Sequence, residues 1–323
     1  MTTRATPVAT AATTPPGQPL RQPLDLRGFW LLLALAMLFG ANNLLIKLGN
    51  EGLQPVFFAA TRSVLAGAAL LLWMRWRGIS LRTDLWRPGL VAGLVFSAEF
   101  FLLFNALDLT TVVRASVLFY AMPIWLAVAA HFLFPGERLT PPRLAGFLIG
   151  FAAVALTIIN QPGINQPDAT TIPGAATGSL LGDLAALAAG MFWAAIILCV
   201  RMSRLREAAP ETQLFWQLLV SAPVLLALAP LQGGDFVRDF DLFQALIFVA
   251  HALGVVAFGY VTWFWLLLRY PASSVASFSF LTPVLSAALG WLVLNEPVTA
   301  MTPVALVMLV AGLYLINRRP AAG

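Results

Sequence analysis

Charged residues are scarce in this sequence. Only 10% of its 323 residues are charged, whereas 60% are hydrophobic, and the mean hydropathy is +0.85. Soluble domains carry about 25% charged residues, so the composition excludes a water-soluble globule. A chain of this length can instead hold about ten membrane-spanning helices of roughly 20 residues each.

Cysteine, histidine and phosphate-binding motifs are also scarce. The one cysteine, Cys199, excludes an intramolecular disulfide, and with two isolated histidines it makes no convincing metal site. No glycine-rich loop is followed by Lys and Ser or Thr, the pattern typical of an ATP-driven pump. The sequence therefore predicts no metal, no cofactor, no enzymatic activity and no nucleic-acid partner.

What the sequence does contain is ten apolar runs separated mostly by short polar or Pro/Gly turns. They cover Phe29–Leu48, Pro55–Trp73, Pro88–Leu107, Val112–Phe134, Leu144–Ile159, Leu180–Val200, Thr212–Leu228, Leu242–Leu268, Ala272–Leu294 and Met301–Asn317. Residues 1–27, rich in Thr, Ala and Pro, predict a disordered tail. Five spans then occupy 28–160, an external linker 161–179, and five more spans 180–317, before a C-terminal tail at 318–323.

The positions of the basic residues predict the orientation of the spans. With the N-terminus inside, fifteen of the 19 Lys and Arg residues fall at inward ends, and four at outward ends or in outer halves: Lys47, Arg62, Arg114 and Arg238. This bias follows the positive-inside rule. It predicts a multi-pass protein of the inner (plasma) membrane with both termini in the cytoplasm.

One stretch of the first half has an echo in the second half. Val112–Thr140 and Pro271–Thr299 each run through small and aromatic residues to a proline, an apolar run, a Glu and a Thr. Because each half has an odd number of spans, related halves would insert in opposite directions, as a 5+5 inverted repeat. We expect Pro123 and Pro283 to kink their helices in mid-span, either as gating hinges or as fixed kinks.

Several segments carry a family resemblance: LALAMLFGANNLLIKLGNEGLQPVFFAATRSVLAGAALL, FNALDLTTVVRASVLFYAMPIW, GERLTPPRLAGFLIGFAAVAL and FGYVTWFWLLLRYPASSVASFSFLTPVLSAALGWLVLNEPVT. On these segments the chain resembles the drug/metabolite transporter superfamily, specifically its ten-helix EamA-type transporters. The resemblance implies a 5+5 inverted repeat that often exports amino acids or other small metabolites. Small multidrug relatives use a glutamate in the first helix, where this chain has Asn42 and Asn43.

Three ionisable residues lie inside predicted spans, where such groups are costly and indicate function. Arg62 lies roughly 10 Å, and Glu99 and His251 roughly 13 Å, from the outer ends of their helices, at 1.5 Å per residue. We hypothesise that Arg62 and Glu99 form a buried pair at a substrate cavity, where one of them meets a charged end of a zwitterionic substrate. His251 would join from the other half. Alternatively, the pair only joins two helices, and His251 only bonds a backbone carbonyl.

Amides and aromatic residues within the spans complete the predicted substrate site. Asn42, Asn43 and Asn105 either face the cavity or join helices through hydrogen bonds. Aromatic residues suit a cavity for apolar or aromatic substrates. We expect Trp193, Tyr260 and Trp263 either to line such a cavity or to serve in helix packing.

The predicted function is secondary-active transport of small organic metabolites. We expect export of amino acids or related compounds by alternating access, driven either by protons or by substrate exchange. An intramembrane enzyme acting on lipid is one alternative, and it would need acids, histidines or metal ligands that converge near one interface. A non-transporting membrane sensor is the other.

Overall fold

A computed structural model describes residues 25–134, 140–160, 178–270, 278 and 280–317. The twelve α-helices of this part are α1 Leu26–Gly52, α2 Pro55–Arg77, α3 Trp86–Leu109, α4 Val112–Phe119, α5 Met122–Leu133, α6 Pro141–Ile159, α7 Leu180–Met202, α8 Pro210–Leu228, α9 Leu242–Val249, α10 Tyr260–Arg269, α11 Leu281–Leu294 and α12 Met301–Asn317. A π-helix, Ala250–Gly259, joins α9 to α10. The only extended pairing in the described ranges is an isolated bridge between Leu53 and Val237.

The predicted all-α, multi-pass architecture is confirmed. Within the described ranges, eight stretches are long and apolar enough to cross a membrane, and α11 and α12 are shorter apolar helices. The first helix begins at Leu26 rather than Phe29, because the Asp25 carboxylate accepts a hydrogen bond from the Gly28 N–H at its first turn. Most of the predicted N-terminal tail and of the linker, and all of residues 271–277 and of the predicted C-terminal tail 318–323, lie outside the described residues.

The fourth predicted span is two helices rather than one kinked helix. α4 ends at Phe119, two turn residues follow, and α5 begins at Met122 with Pro123 in its first turn. Pro283 likewise lies in the first turn of α11. The predicted mid-helix kinks are therefore wrong, because first-turn N–H groups have no intrahelical partner for a proline to remove. A hinge at either proline stays a prediction. Among the described helices, Pro223 of α8 lies beyond the first turn.

Glycines allow very close packing between α6 and α12. A Cβ added to Gly146 would lie 2.7 Å from the backbone oxygen of Gly312, and a Cβ on Gly312 would lie 2.7 Å from that of Gly146. Small residues at such positions let two backbones approach each other, which favours helix association in membranes.

Polar contacts gather at the end of the bundle where α4 begins, and those of Asp183 and Glu296 join the two halves. Lys47 donates to the Thr110 carbonyl at 2.9 Å, and the Arg114 guanidinium pairs with the buried carboxylate of Asp183 on α7. Glu296, just beyond α11, reaches the first residues of α4. Because the end of α11 lies beside the start of α4, these two helices run in opposite directions.

Candidate functional site

Arg62 is the centre of the candidate site. Its side chain projects from α2, is 0% exposed, and lies against one face of α3. The guanidinium carbon is 3.8 Å from the ring centre of Phe100, 5.7 Å from that of Phe96 and 5.5 Å from that of Phe104. These phenylalanines are spaced four residues apart, so α3 presents them along one stripe. A cation against aromatic faces is stabilised by the negative potential of the rings.

The hypothesised Arg62–Glu99 pair is not formed. Among the described residues, Nε and both Nη atoms of Arg62 have no hydrogen-bond partner, and neither has Oε2 of Glu99. Glu99 is 3% exposed and is near enough to act on the charge of Arg62 without bonding to it. Arg62 and Glu99, predicted to lie at similar depth in two helices, do lie near each other. Depth along a helix does not determine which way a side chain points, and the Arg62 side chain points toward the phenylalanines of α3.

His251 joins this cluster from the second half. It lies in the first turn of the π-helix, fully buried, with ring centres 5.5 Å from Phe58 and 5.8 Å from Phe104. Nε2 is 3.1 Å from Oδ1 of Asn42 on α1, so His251 bonds an amide side chain rather than a backbone carbonyl. The π-helix separates His251 from Tyr260, and such wide turns occur frequently at functional sites.

Asn42 and Asn43 differ in their surroundings. Asn42 Nδ2 donates to Asn43 Oδ1 at 3.2 Å. Asn43 is fully buried, and its own Nδ2 has no partner. Asn42 therefore links His251 to α1, and the buried Nδ2 donor of Asn43 has no acceptor among the described residues.

An aromatic wall borders the polar cluster. Phe39 of α1 contacts the rings of Tyr260 and Trp263 at 5.6 and 6.0 Å between centres. The Tyr120 hydroxyl, at the break between α4 and α5, donates to the Phe39 carbonyl at 2.9 Å. Trp193 of α7 lies 6.1 Å from Tyr120. Tyr260 is within electrostatic range of both Arg62 and Glu99, and so connects the wall to the cluster.

Asn105 lies apart from this group. Its amide nitrogen donates to the Phe101 carbonyl one turn earlier, and its oxygen accepts from Gln232, which follows α8. This supports the alternative in which Asn105 joins helices. The structure thus gathers Arg62, Glu99, His251, Asn42, Asn43 and Tyr260, and Phe39 links this group to Trp263 and, through Tyr120, to Trp193.

Some site residues were missed by reasoning from ionisable residues alone. The phenylalanines at positions 96, 100 and 104 carried a visible signal, the four-residue spacing. Phe39 and Tyr120 carried none, because their contact depends on where the helix of the fourth span breaks. In the described ranges, no three His, Cys, Asp or Glu side chains gather as metal ligands would.

Comparison with known proteins identifies the family of this chain. The profile of the EamA-like transporter family matches residues 26–159 and again residues 180–318. The chain belongs to the EamA-like transporter family. This EamA protein is therefore a transporter and a multi-pass membrane protein, and the predicted superfamily is confirmed.

Relatives of the EamA protein span nearly its whole length. It is 32% identical to an uncharacterized protein of Pseudomonas aeruginosa over 292 residues, which cover 88% of this chain and 93% of the relative. A probable amino-acid metabolite efflux pump of Escherichia coli is 27% identical over 296 residues, with the same coverage. A solved crystal structure with 24% sequence identity aligns with a TM-score of 0.58 over 89% of this chain and 95% of its own, and so shares the fold.

Proposed function

We propose that this EamA transporter is a secondary-active exporter of amino acids or related small organic metabolites. It works by alternating access between two halves of five spans each, inserted in opposite directions in the inner membrane, with both termini in the cytoplasm. The substrate binds at the cluster around Arg62, along the aromatic wall.

The observation that carries this proposal is that both halves contribute to one buried polar cluster. Arg62 and Glu99 belong to the first half, and His251 and Tyr260 belong to the second. Transporters with internal repeats bind substrate at the interface between the repeats, near the bilayer midplane. A site of this kind changes its access when one half moves against the other.

The arrangement of helix neighbours supports the inverted repeat. α1 is the first span and α11 the ninth, and these two helices pack against each other. Their counterparts in the opposite halves are the sixth span, α7, and the fourth span, formed by α4 and α5, and these also pack against each other. Likewise, the third span, α3, packs against the seventh, α8. Their counterparts are the eighth span, which contains the π-helix, and the second span, α2, and these are also in contact. Exchanging the halves therefore maps each of these contacts onto another contact of the bundle.

The relatives' names support the substrate class. Two proteins named as probable amino-acid metabolite efflux pumps, from Escherichia coli and Salmonella typhimurium, align with 88% of this chain at 27% and 26% identity. An amino acid has two opposite charges and a side chain, which suits a cluster that holds Arg62 and Glu99 beside aromatic rings.

Counterflow in proteoliposomes tests the function. Vesicles loaded with unlabelled amino acids and related metabolites are diluted into traces of the labelled compounds, and the label accumulates only if one carrier exchanges the two. We expect accumulation with at least one amino acid, whatever ion drives export. The absence of flux for every solute would refute transport and favour the sensor, while release of products from lipid would favour the enzyme.

Glu99→Gln tests the site. This change keeps the size of the side chain and removes its charge, so we expect lower counterflow and an altered pH dependence. Glu51→Gln, an exposed residue at the end of α1, is the matched control and should behave as wild type. Unchanged flux and pH dependence in Glu99→Gln would remove Glu99 from the site.

A further inference from the structure

The Arg62 guanidinium is a strong cation whose hydrogen-bond donors find no acceptor in the part of the chain that the structure describes. An arginine has five N–H donors, and all three of its nitrogens here are buried without an acceptor. The three phenylalanine rings stabilise the charge, but a ring face does not replace a set of in-plane acceptors. A buried charge without a paired and hydrogen-bonded counterion is costly.

The residues that could neutralise Arg62 do not do so. Glu99 lies within electrostatic range but forms no ion pair with it, and Tyr260 and His251 are the other titratable groups that act on it or respond to it. The ion pairs of the described chain instead lie elsewhere, as between Arg114 and Asp183. No acceptor among the described residues uses the donors of Arg62, so they are free to bind a group of the substrate.

We propose that Arg62 binds the carboxylate of the transported molecule, so that a carboxylate is the group every substrate must carry. This inference rests on the proposed function, because it assigns a role within the same site. Guanidinium and carboxylate match as planar, bidentate partners, which makes Arg the residue of choice for such recognition. The phenylalanine stripe holds the cation in place without competing for its donors.

The other groups of the site restrict the remainder of the substrate less than Arg62 restricts its carboxylate. Glu99 has a free acceptor oxygen for an ammonium group, and the wall of Phe39, Tyr260 and Trp263 suits an apolar or aromatic body. The substrate class is therefore amino acids and organic acids with apolar or aromatic bodies. Amines without a carboxylate are excluded, because they would put a second cation beside Arg62.

A matched set of four compounds tests this in purified protein. Phenylalanine carries both charged groups, 3-phenylpropionate only the carboxylate, and phenethylamine and phenylalaninamide only the amine. Each is tested as a competitor in phenylalanine counterflow and, separately, as a ligand that raises the thermal unfolding midpoint in detergent. We expect the two carboxylates to compete and to stabilise, and the two amines to do neither.

Variants then assign the effect to Arg62. Arg62→Lys keeps the charge but loses the bidentate geometry, and we expect carboxylates to bind about 10-fold more weakly, the scale of one charge-assisted hydrogen bond. Arg62→Gln should abolish stabilisation by carboxylates. Arg238→Gln, at an exposed Arg with an ion pair to Asp108, is the control and should bind as wild type. Circular dichroism on each variant checks that it is folded.

The outcomes separate this inference from the proposed function. Carboxylates that bind through Arg62 without any flux would support carboxylate recognition by Arg62 and refute transport. Flux in which phenethylamine competes as well as 3-phenylpropionate would support transport and overturn the inference. If no compound of the set alters the unfolding midpoint of the wild-type protein, or if folded Arg62→Gln binds carboxylates unchanged, the inference is also overturned.

Discussion

The Glu296 carboxylate accepts hydrogen bonds from the backbone N–H groups of Val112, at 2.7 Å, and Val113, at 2.9 Å. Glu296 follows α11 of the second half, whereas these N–H groups begin α4 of the first half. A carboxylate at a helix N-terminus satisfies donors that have no intrahelical partner and interacts favourably with the helix dipole. This contact closes one end of the bundle across the two halves.

Glu296→Gln should open that end of the bundle. The glutamine has only one acceptor oxygen, and its amide nitrogen would face a second N–H donor. Since charge-assisted hydrogen bonds contribute about 1.5–3 kcal/mol, we expect the open population to rise about 10-fold or more. The measurement is the labelling rate of Val113→Cys, 2% exposed in the native residue, by a water-soluble maleimide in a Cys199→Ser background. Glu51→Gln in that background is the control, and equal rates in both would contradict the closure.

Two ion pairs at the same end of the bundle should differ greatly in importance. Arg114 Nε lies 3.1 Å from both oxygens of Asp183, which is fully buried and also accepts from Thr110 Oγ1. Removing one partner of a buried pair costs about 3–5 kcal/mol, so Asp183→Asn should strongly lower the thermal unfolding midpoint in detergent. Asp108→Asn breaks the exposed pair with Arg238 and should cost about 0–1 kcal/mol. Similar losses in both variants would contradict this ranking.

Gly312→Ala should loosen the contact between α6 and α12. The new Cβ would lie 2.7 Å from the Gly146 backbone oxygen and 3.0 Å from the Gly150 nitrogen. Backbone atoms cannot turn aside as a side chain does, so we expect a loss of about 1–3 kcal/mol, the usual cost of overpacking. Gly67→Ala is the control, because its Cβ would meet Leu218 at an ordinary 3.6 Å. Chemical denaturation in detergent compares the two; no difference would show that the helices separate easily.

Asp25 should make the start of α1 sensitive to acid. The pKa of Asp25 lies below its ordinary value of 3.8, first because of the hydrogen bond from the Gly28 N–H and then because of that from the Tyr270 hydroxyl. A lowered pKa contributes stability that is present above the unfolded-state pKa and lost as pH falls through the folded-state pKa. The advantage of wild type over Asp25→Asn in unfolding midpoint should therefore shrink below about pH 4. A difference that stays constant from pH 7 to pH 3 would contradict this.

Reasoning from sequence succeeded where one local property decides the outcome. Apolar runs of spanning length predicted the helices, and depth along each helix predicted that Arg62, Glu99 and His251 lie together. It failed where a contact between distant segments decides. The helix break beside Pro123 is accompanied by a bond from Tyr120 to Phe39, 81 residues away. The orientation of Arg62 depends on α3, and nothing in the apolar run Leu242–Leu268 marks a π-helix.

The central claim is that the halves move against each other to carry a substrate across, and a reversible cross-link tests it. Ser116 of α4 and Ser286 of α11 are buried, with Oγ atoms 2.7 Å apart, so cysteine sulfurs at these two positions would lie next to each other. Both are changed to Cys in the Cys199→Ser background, and amino-acid counterflow is measured in one sample when reduced, oxidised and reduced again. We expect flux, loss of flux and recovery, with either single Cys variant unaffected. Undiminished flux in the fully cross-linked protein would contradict the account.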